Sequence, residues 1–245
     1  MARSLLVTGC ISGNYKSIRE IETKKRNQSG FTLIEIAIVL VIIGLLLGGV
    51  LKGQELINSA KVKNLATDFK NIPVFIYGYQ DKFKALPGDD AGVEAHVTGT
   101  LATTPAGKQG NGVIDGAWDS TTTTDETQLF WQHVRLANLA PGVTTGADYL
   151  PTNSVGGVIG ITNGGTDNPD PAAAATRIKG SYIICSAGIL GKYAKQLDIQ
   201  MDNGDPVTGS MRAYNSTARP STLSAPTLVS GALDDATSYT VCYGV

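Results

Sequence analysis

The 21 residues from Phe31 to Leu51, FTLIEIAIVLVIIGLLLGGVL, carry a single charge, Glu35. A helix rises about 1.5 Å per residue, so the run spans about 31 Å, the thickness of a membrane's hydrocarbon core. Lys24, Lys25 and Arg26 stand just before it. By the positive-inside rule they keep the amino-terminal side in the cytoplasm.

The formal net charge of −1 conceals a segregation. Residues 1–30 hold six Lys/Arg and two Asp/Glu, net +4. Residues 31–84 hold six and four, net +2. Residues 85–245 hold eight and fifteen, net −7. A basic front, an apolar span and an acidic body read as a protein oriented across a membrane. The acidic body argues against nucleic acid as a partner, because phosphate binding needs a basic patch.

The order of parts is unusual. A secretory signal puts its apolar run near its start and a small-residue cleavage site after it. Here the small residue, Gly30, comes first. A cut after Gly30 leaves the apolar helix on the mature chain. The expected organisation is a leader, 1–30, a membrane and spine helix, 31–84, and a globular head, 85–245. Val7-Thr8-Gly9-Cys10 imitates a lipoprotein cleavage box, but the apolar stretch before Cys10, Leu5 to Val7, is too short for a signal core.

Glu35 needs a physical explanation. An ionised carboxylate at the centre of a membrane helix costs roughly 2.5–3.5 kcal/mol, less near an end, and normally has a partner. Cleavage after Gly30 creates one, the ammonium of Phe31. In a bundle of copies, one subunit's Phe31 ammonium meets a neighbour's Glu35 and sets the axial register. The plainer alternative is a carboxylate that snorkels to the interface.

Gly30 followed by FTLIEIAIVLVIIGLLLGGVL resembles the processing and assembly segment of type IV prepilins and type II secretion pseudopilins. The resemblance covers about residues 24–55. It implies cutting between Gly30 and Phe31 by a membrane peptidase, N-methylation of Phe31, and an assembly role for Glu35. It also implies an inner-membrane, single-pass protein that is drawn by an assembly platform into a periplasmic or cell-surface filament of its own copies or related pilins.

Beyond the membrane run, Val62, Leu65, Phe69, Ile72, Ile76, Tyr79 and Phe83 repeat at alternating spacings of three and four. That is one stripe of an amphipathic helix. One helix is expected from about Thr32 to Lys84, kinked at Pro73 and ended by Leu86-Pro87-Gly88. In the body, DETQLFWQHVRLANL predicts a helix starting near Thr124, and GILGKYAKQLDIQM a second. GGVIGIT, SYIICSAG, SMRAYN and YTVCYGV predict strands. The fold class is α+β: a long N-terminal helix packed on a β-sheet head with short helices, the pilin fold.

Cys185 and Cys242 form a disulfide if the body sits in an oxidising compartment; otherwise they are two buried thiols. Asp, Asn and Gly cluster in three acidic turns. Oxygen ligands on such turns suit Ca²⁺, with Asn111, Asp115 and Asp119 the first choice, although none has EF-hand spacing and these residues also simply make turns. No other cofactor is expected. Neither HExxH, a serine elbow nor a complete phosphate loop is present, so the chain does not read as an enzyme. The expected function is a structural pilus subunit. Alternatives are a type II secretion pseudopilin and a minor tip subunit acting as an adhesin or DNA-capture module.

Overall fold

The computed structural model describes residues 30–146, 148–215, 228–229 and 231–245. Cys10, Lys24, Lys25, Arg26 and the other residues up to Ser29 lie outside the described residues. The elements are α1 (Leu33–Phe83), α2 (Val93–Val97), α3 (Glu126–Leu136), β1 (Ile159–Asn163), β2 (Tyr182–Leu190), α4 (Gly191–Met201), β3 (Met211–Asn215), β4 (Leu228–Val229), β5 (Ala232–Leu233) and β6 (Ser238–Gly244). This is an α+β chain with a long apolar N-terminal helix, as the periodicity and strand patterns predict. The short α2 and the β4–β5 ribbon were not legible.

Two compact units divide between Gly49 and Val50. In the first, every large apolar side chain of α1 is exposed, none below 46%. A helix apolar all round needs lipid or neighbouring helices to cover it, and α1 is long and apolar enough to cross a membrane.

The second unit takes in the amphipathic half of α1. Val62, Leu65, Ala66, Phe69, Ile72, Ile76 and Tyr79 are buried there, and Phe83 is half-buried. Each fully buried Leu, Ile or Phe contributes about 1.5–3 kcal/mol. The helix continues through Pro73.

The sheet is antiparallel throughout, in the order β1-β2-β6-β3. Ile161, Ile184, Ile189, Met211, Ala213, Tyr239 and Val241 join the α1 stripe in one core. The Phe69 ring meets Tyr243 of β6 edge to face at 6.2 Å. GILGKYAKQLDIQM divides between two elements. Its Gly188, Ile189 and Leu190 finish β2 past a register shift after Ser186, and only Gly191–Met201 are helical. Gly188 has a φ of +73° at that irregularity, the left-handed conformation glycine tolerates best.

Candidate functional site

The segment expected to be processed opens on Gly30 and Phe31, both exposed. Among the described residues, a Cβ added at Gly30 would meet nothing within 4 Å. The fold therefore gives no steric reason for glycine at this position. Glu35 also has a role within its own helix. Its Oε2 accepts from the Thr32 N–H and from Thr32 Oγ1, both at 2.7 Å. Thr32 Oγ1 accepts from the Glu35 N–H at 3.3 Å. This is a reciprocal capping box, which satisfies amides that a helix start leaves orphaned. The signal was present: Thr-Leu-Ile-Glu directly before an apolar run.

In the body, α3 is buried almost all round, and its polar side chains hold the surrounding loops. Gln128 accepts from the Tyr149 N–H and donates to the Ser120 carbonyl. Gln132 accepts from the Thr100 N–H at 2.9 Å and donates to the Thr144 carbonyl and the Tyr149 hydroxyl. Arg135 donates to the Pro141 and Val143 carbonyls. Sequence patterning predicts a helix here. It could not reveal that these polar groups face loop backbone instead of water.

His133 is fully buried on the same helix. Its Nδ1 accepts from the Gly88 N–H and its Nε2–H donates to the Thr100 carbonyl, both at 2.9 Å. Gly88 has a φ of +91°, and a Cβ there would lie 2.4 Å from the Glu126 carbonyl oxygen. Burial pushes the imidazole down to about 4. Beside it, Asp90 accepts from Tyr79 Oη at 2.8 Å and the Gly92 N–H at 2.8 Å, and bonds His96 Nδ1 at 2.7 Å. Burial alone would raise the Asp90 carboxyl. The bonds from His96, Tyr79 and Gly92 outweigh it and hold the group low.

The acidic side chains Asp89, Asp90, Asp115 and Asp119 are buried. Asp89 accepts the N–H groups of Gly110, Asn111 and Gly112. Asn111 Nδ2 donates to Asp115 Oδ2 at 2.8 Å, while its Oδ1 accepts from the Val113 N–H. Asn111 thus turns its amide N–H, not its oxygen, toward Asp115. Asp119 is buried. Among the described residues no group of three His, Cys, Asp or Glu side chains is arranged to hold a metal. Asn111 and Asp115 are joined to each other by a hydrogen bond within the turn.

Glu126 is fully buried. Its Oε2 accepts from the Asp115 N–H, and its Oε1 has no partner among the described residues. Burial, reinforced by Asp89 and Asp115, pushes the carboxyl up to about 8. His133 and Glu126 give stability opposite pH slopes. His133 is neutral in the fold, so the unfolded chain binds the extra proton between about 6.5 and 4. That contribution falls as the solution is acidified through this window, by about 3 kcal/mol in all. Glu126 keeps its proton in the fold above its ordinary 4.5. Its contribution falls as pH rises from about 4.5 to about 8. Glu126→Gln is therefore expected to leave the melting temperature unchanged at pH 4.5 and raise it at pH 8. A variant that melts below the parent at pH 8 would show that the carboxylate form is favoured.

Cys185 of β2 and Cys242 of β6 are register partners, and the structure joins them as a disulfide. They sit in a smaller apolar cluster with Trp118, Ile178, Ile183, Ala187 and Tyr214.

Comparison with curated proteins and with solved structures finds no match to this chain. The family model of the prokaryotic N-terminal methylation motif matches residues 25–51. With that motif at residues 25–51 running into a long apolar helix and an antiparallel sheet behind it, the chain is consistent with a type IV pilin or pseudopilin.

Proposed function

We propose that this chain is a prepilin that is cut after Gly30 and polymerises through α1 into a type IV pilus or a related filament. The observation that carries the reading is the character of α1. One continuous helix, Leu33–Phe83, is apolar and uncovered over its first half and contributes a core stripe to the body over its second. The uncovered half needs lipid before assembly and sister helices after it. The methylation motif at residues 25–51 supplies the processing step. The open surroundings of Gly30 support recognition by a peptidase over a packing role. The partners on this reading are the peptidase, the inner-membrane assembly platform and further subunits.

Intact mass and terminal sequencing of the chain from its native membrane test it. The expected mature protein begins at Phe31, carries one added methyl, and has lost residues 1–30. A mature chain that retains Lys24, Lys25 and Arg26 would overturn the reading in favour of an uncleaved anchor.

A further inference from the structure

Three Asn–Gly pairs occur in the body: Asn111–Gly112, Asn163–Gly164 and Asn203–Gly204. All three asparagines make the same local turn. Each Oδ1 accepts the N–H of the residue after the glycine, from Val113 at 2.8 Å, Gly165 at 2.9 Å and Asp205 at 2.9 Å. What differs is the glycine nitrogen. The Gly112 N–H donates to Asp89 Oδ2 at 2.7 Å, on a carboxylate already occupied by two other amides. The Gly164 N–H donates to the Ser181 carbonyl at 3.0 Å, and Asn163 is buried. The Gly204 N–H finds no backbone acceptor among the described residues. The Asp198 carboxyl senses this N–H, which acts to lower its pKa, without a hydrogen bond of ordinary geometry between them. Asp198 is fully buried, and among the described residues neither of its oxygens has a partner at hydrogen-bond geometry. Asn203 and Gly204 are themselves exposed.

We propose that Asn203–Gly204 is a self-modification site, at which the Gly204 nitrogen attacks the Asn203 side-chain amide with Asp198 as the base. The Gly204 N–Cγ bond forms as the Gly204 proton passes to Asp198. The Cγ–Nδ2 bond then breaks, and ammonia leaves with that proton. Water opens the resulting succinimide at either carbonyl, giving aspartate or isoaspartate. The sum is amide plus water to acid plus ammonia, with no change in oxidation state.

The surrounding groups suit each step. The Asp205 N–H lies on Oδ1, where negative charge develops in the tetrahedral intermediate. The Thr208 hydroxyl accepts from the leaving Nδ2 at 3.1 Å and donates to Asp205 Oδ2 at 3.0 Å. Gly204, at a φ of +86°, offers a nitrogen unhindered by any Cβ. Burial, with Asp202 and Asp205 nearby, pushes Asp198 up to about 6, which makes it a stronger base than an ordinary carboxylate. The product adds a charge beside Asp202 and Asp205. As isoaspartate it also lengthens the turn that leads into β3.

The test is peptide mapping by mass spectrometry on the full-length protein in detergent, native and denatured, incubated at neutral pH. In the native protein Asn203 is expected to convert at least about tenfold faster than Asn111 or Asn163, and faster than it does itself in the denatured chain. Denaturation is expected to level the three sites. Asp198→Asn, with folding checked by circular dichroism, is expected to slow native Asn203 by about 100-fold. Native conversion no faster than denatured conversion would overturn the proposal. So would an undiminished rate in a folded Asp198→Asn variant. The native-against-denatured comparison needs no variant, so it decides the matter even where Asp198→Asn does not fold.

Discussion

Glu35→Gln is expected to abolish filaments while leaving the start of α1 capped. Glu35 has one role within the chain and a second on the proposed function, and this substitution separates them. Within one chain it closes the box with Thr32. Glutamine serves in a capping box nearly as well as glutamate, since either side chain accepts from the N-cap amide. Between chains the proposed role requires charge, because the amide cannot pair with the Phe31 ammonium of a neighbour. Leaving one member of a buried ion pair alone typically costs about 3–5 kcal/mol. Every added subunit suffers that loss, so polymerisation multiplies it. Thr32→Ala makes the opposite cut. It removes the cap, at about 1 kcal/mol, and keeps the carboxylate, so filaments are expected to persist. The measurement is sheared filament yield beside the melting temperature of the body, which should not move with either variant. Filaments of Glu35→Gln subunits at the parental level, with no other subunit present, would reduce Glu35 to a helix cap.

Removing the Cys185–Cys242 bond is expected to have the largest effect on the body itself. The bond closes a segment with a sequence separation of 57. On the chain-entropy model that restricts the unfolded state by about 4 kcal/mol. For a domain of this size, 1 kcal/mol moves the melting temperature by about 2–4 °C, so the paired Cys185→Ser, Cys242→Ser variant is expected to melt about 10 °C lower. The fold should survive at room temperature, because the β2–β6 ladder continues on both sides of the bridge. Each serine also places a hydroxyl in the apolar cluster around Trp118 and Tyr214, so Cys185→Ala, Cys242→Ala is the cleaner comparison. An unchanged melting temperature under reducing conditions, with free thiols verified by labelling, would show that the bond does not restrain the unfolded chain.

Periodicity made α1 legible because its two halves obey strong rules. A membrane run is apolar at every position, and Val62 to Tyr79 repeats with the period of a helix. Strands rich in Ile, Tyr and Val were readable for the same reason, and the motif around Gly30, Phe31 and Glu35 is local in sequence. Three things required the tertiary structure. The capping role of Glu35 lay in plain view as Thr-Leu-Ile-Glu, but only the hydrogen bonds showed the box closed. The polar side chains Glu126, Gln128, Gln132, His133 and Arg135 run through a helix whose outer side is covered by loops, and residue type does not say whether a polar group meets water or backbone. The pairing of β2 with β6 brings Cys185 opposite Cys242, and no local rule fixes a register between strands so far apart in the chain. The sequence by itself determined the helix, its apolar span and the methylation motif, because those depend on spacing between near neighbours. Only the fold decided which polar groups are buried and which distant residues meet, because both depend on what the rest of the chain packs against them.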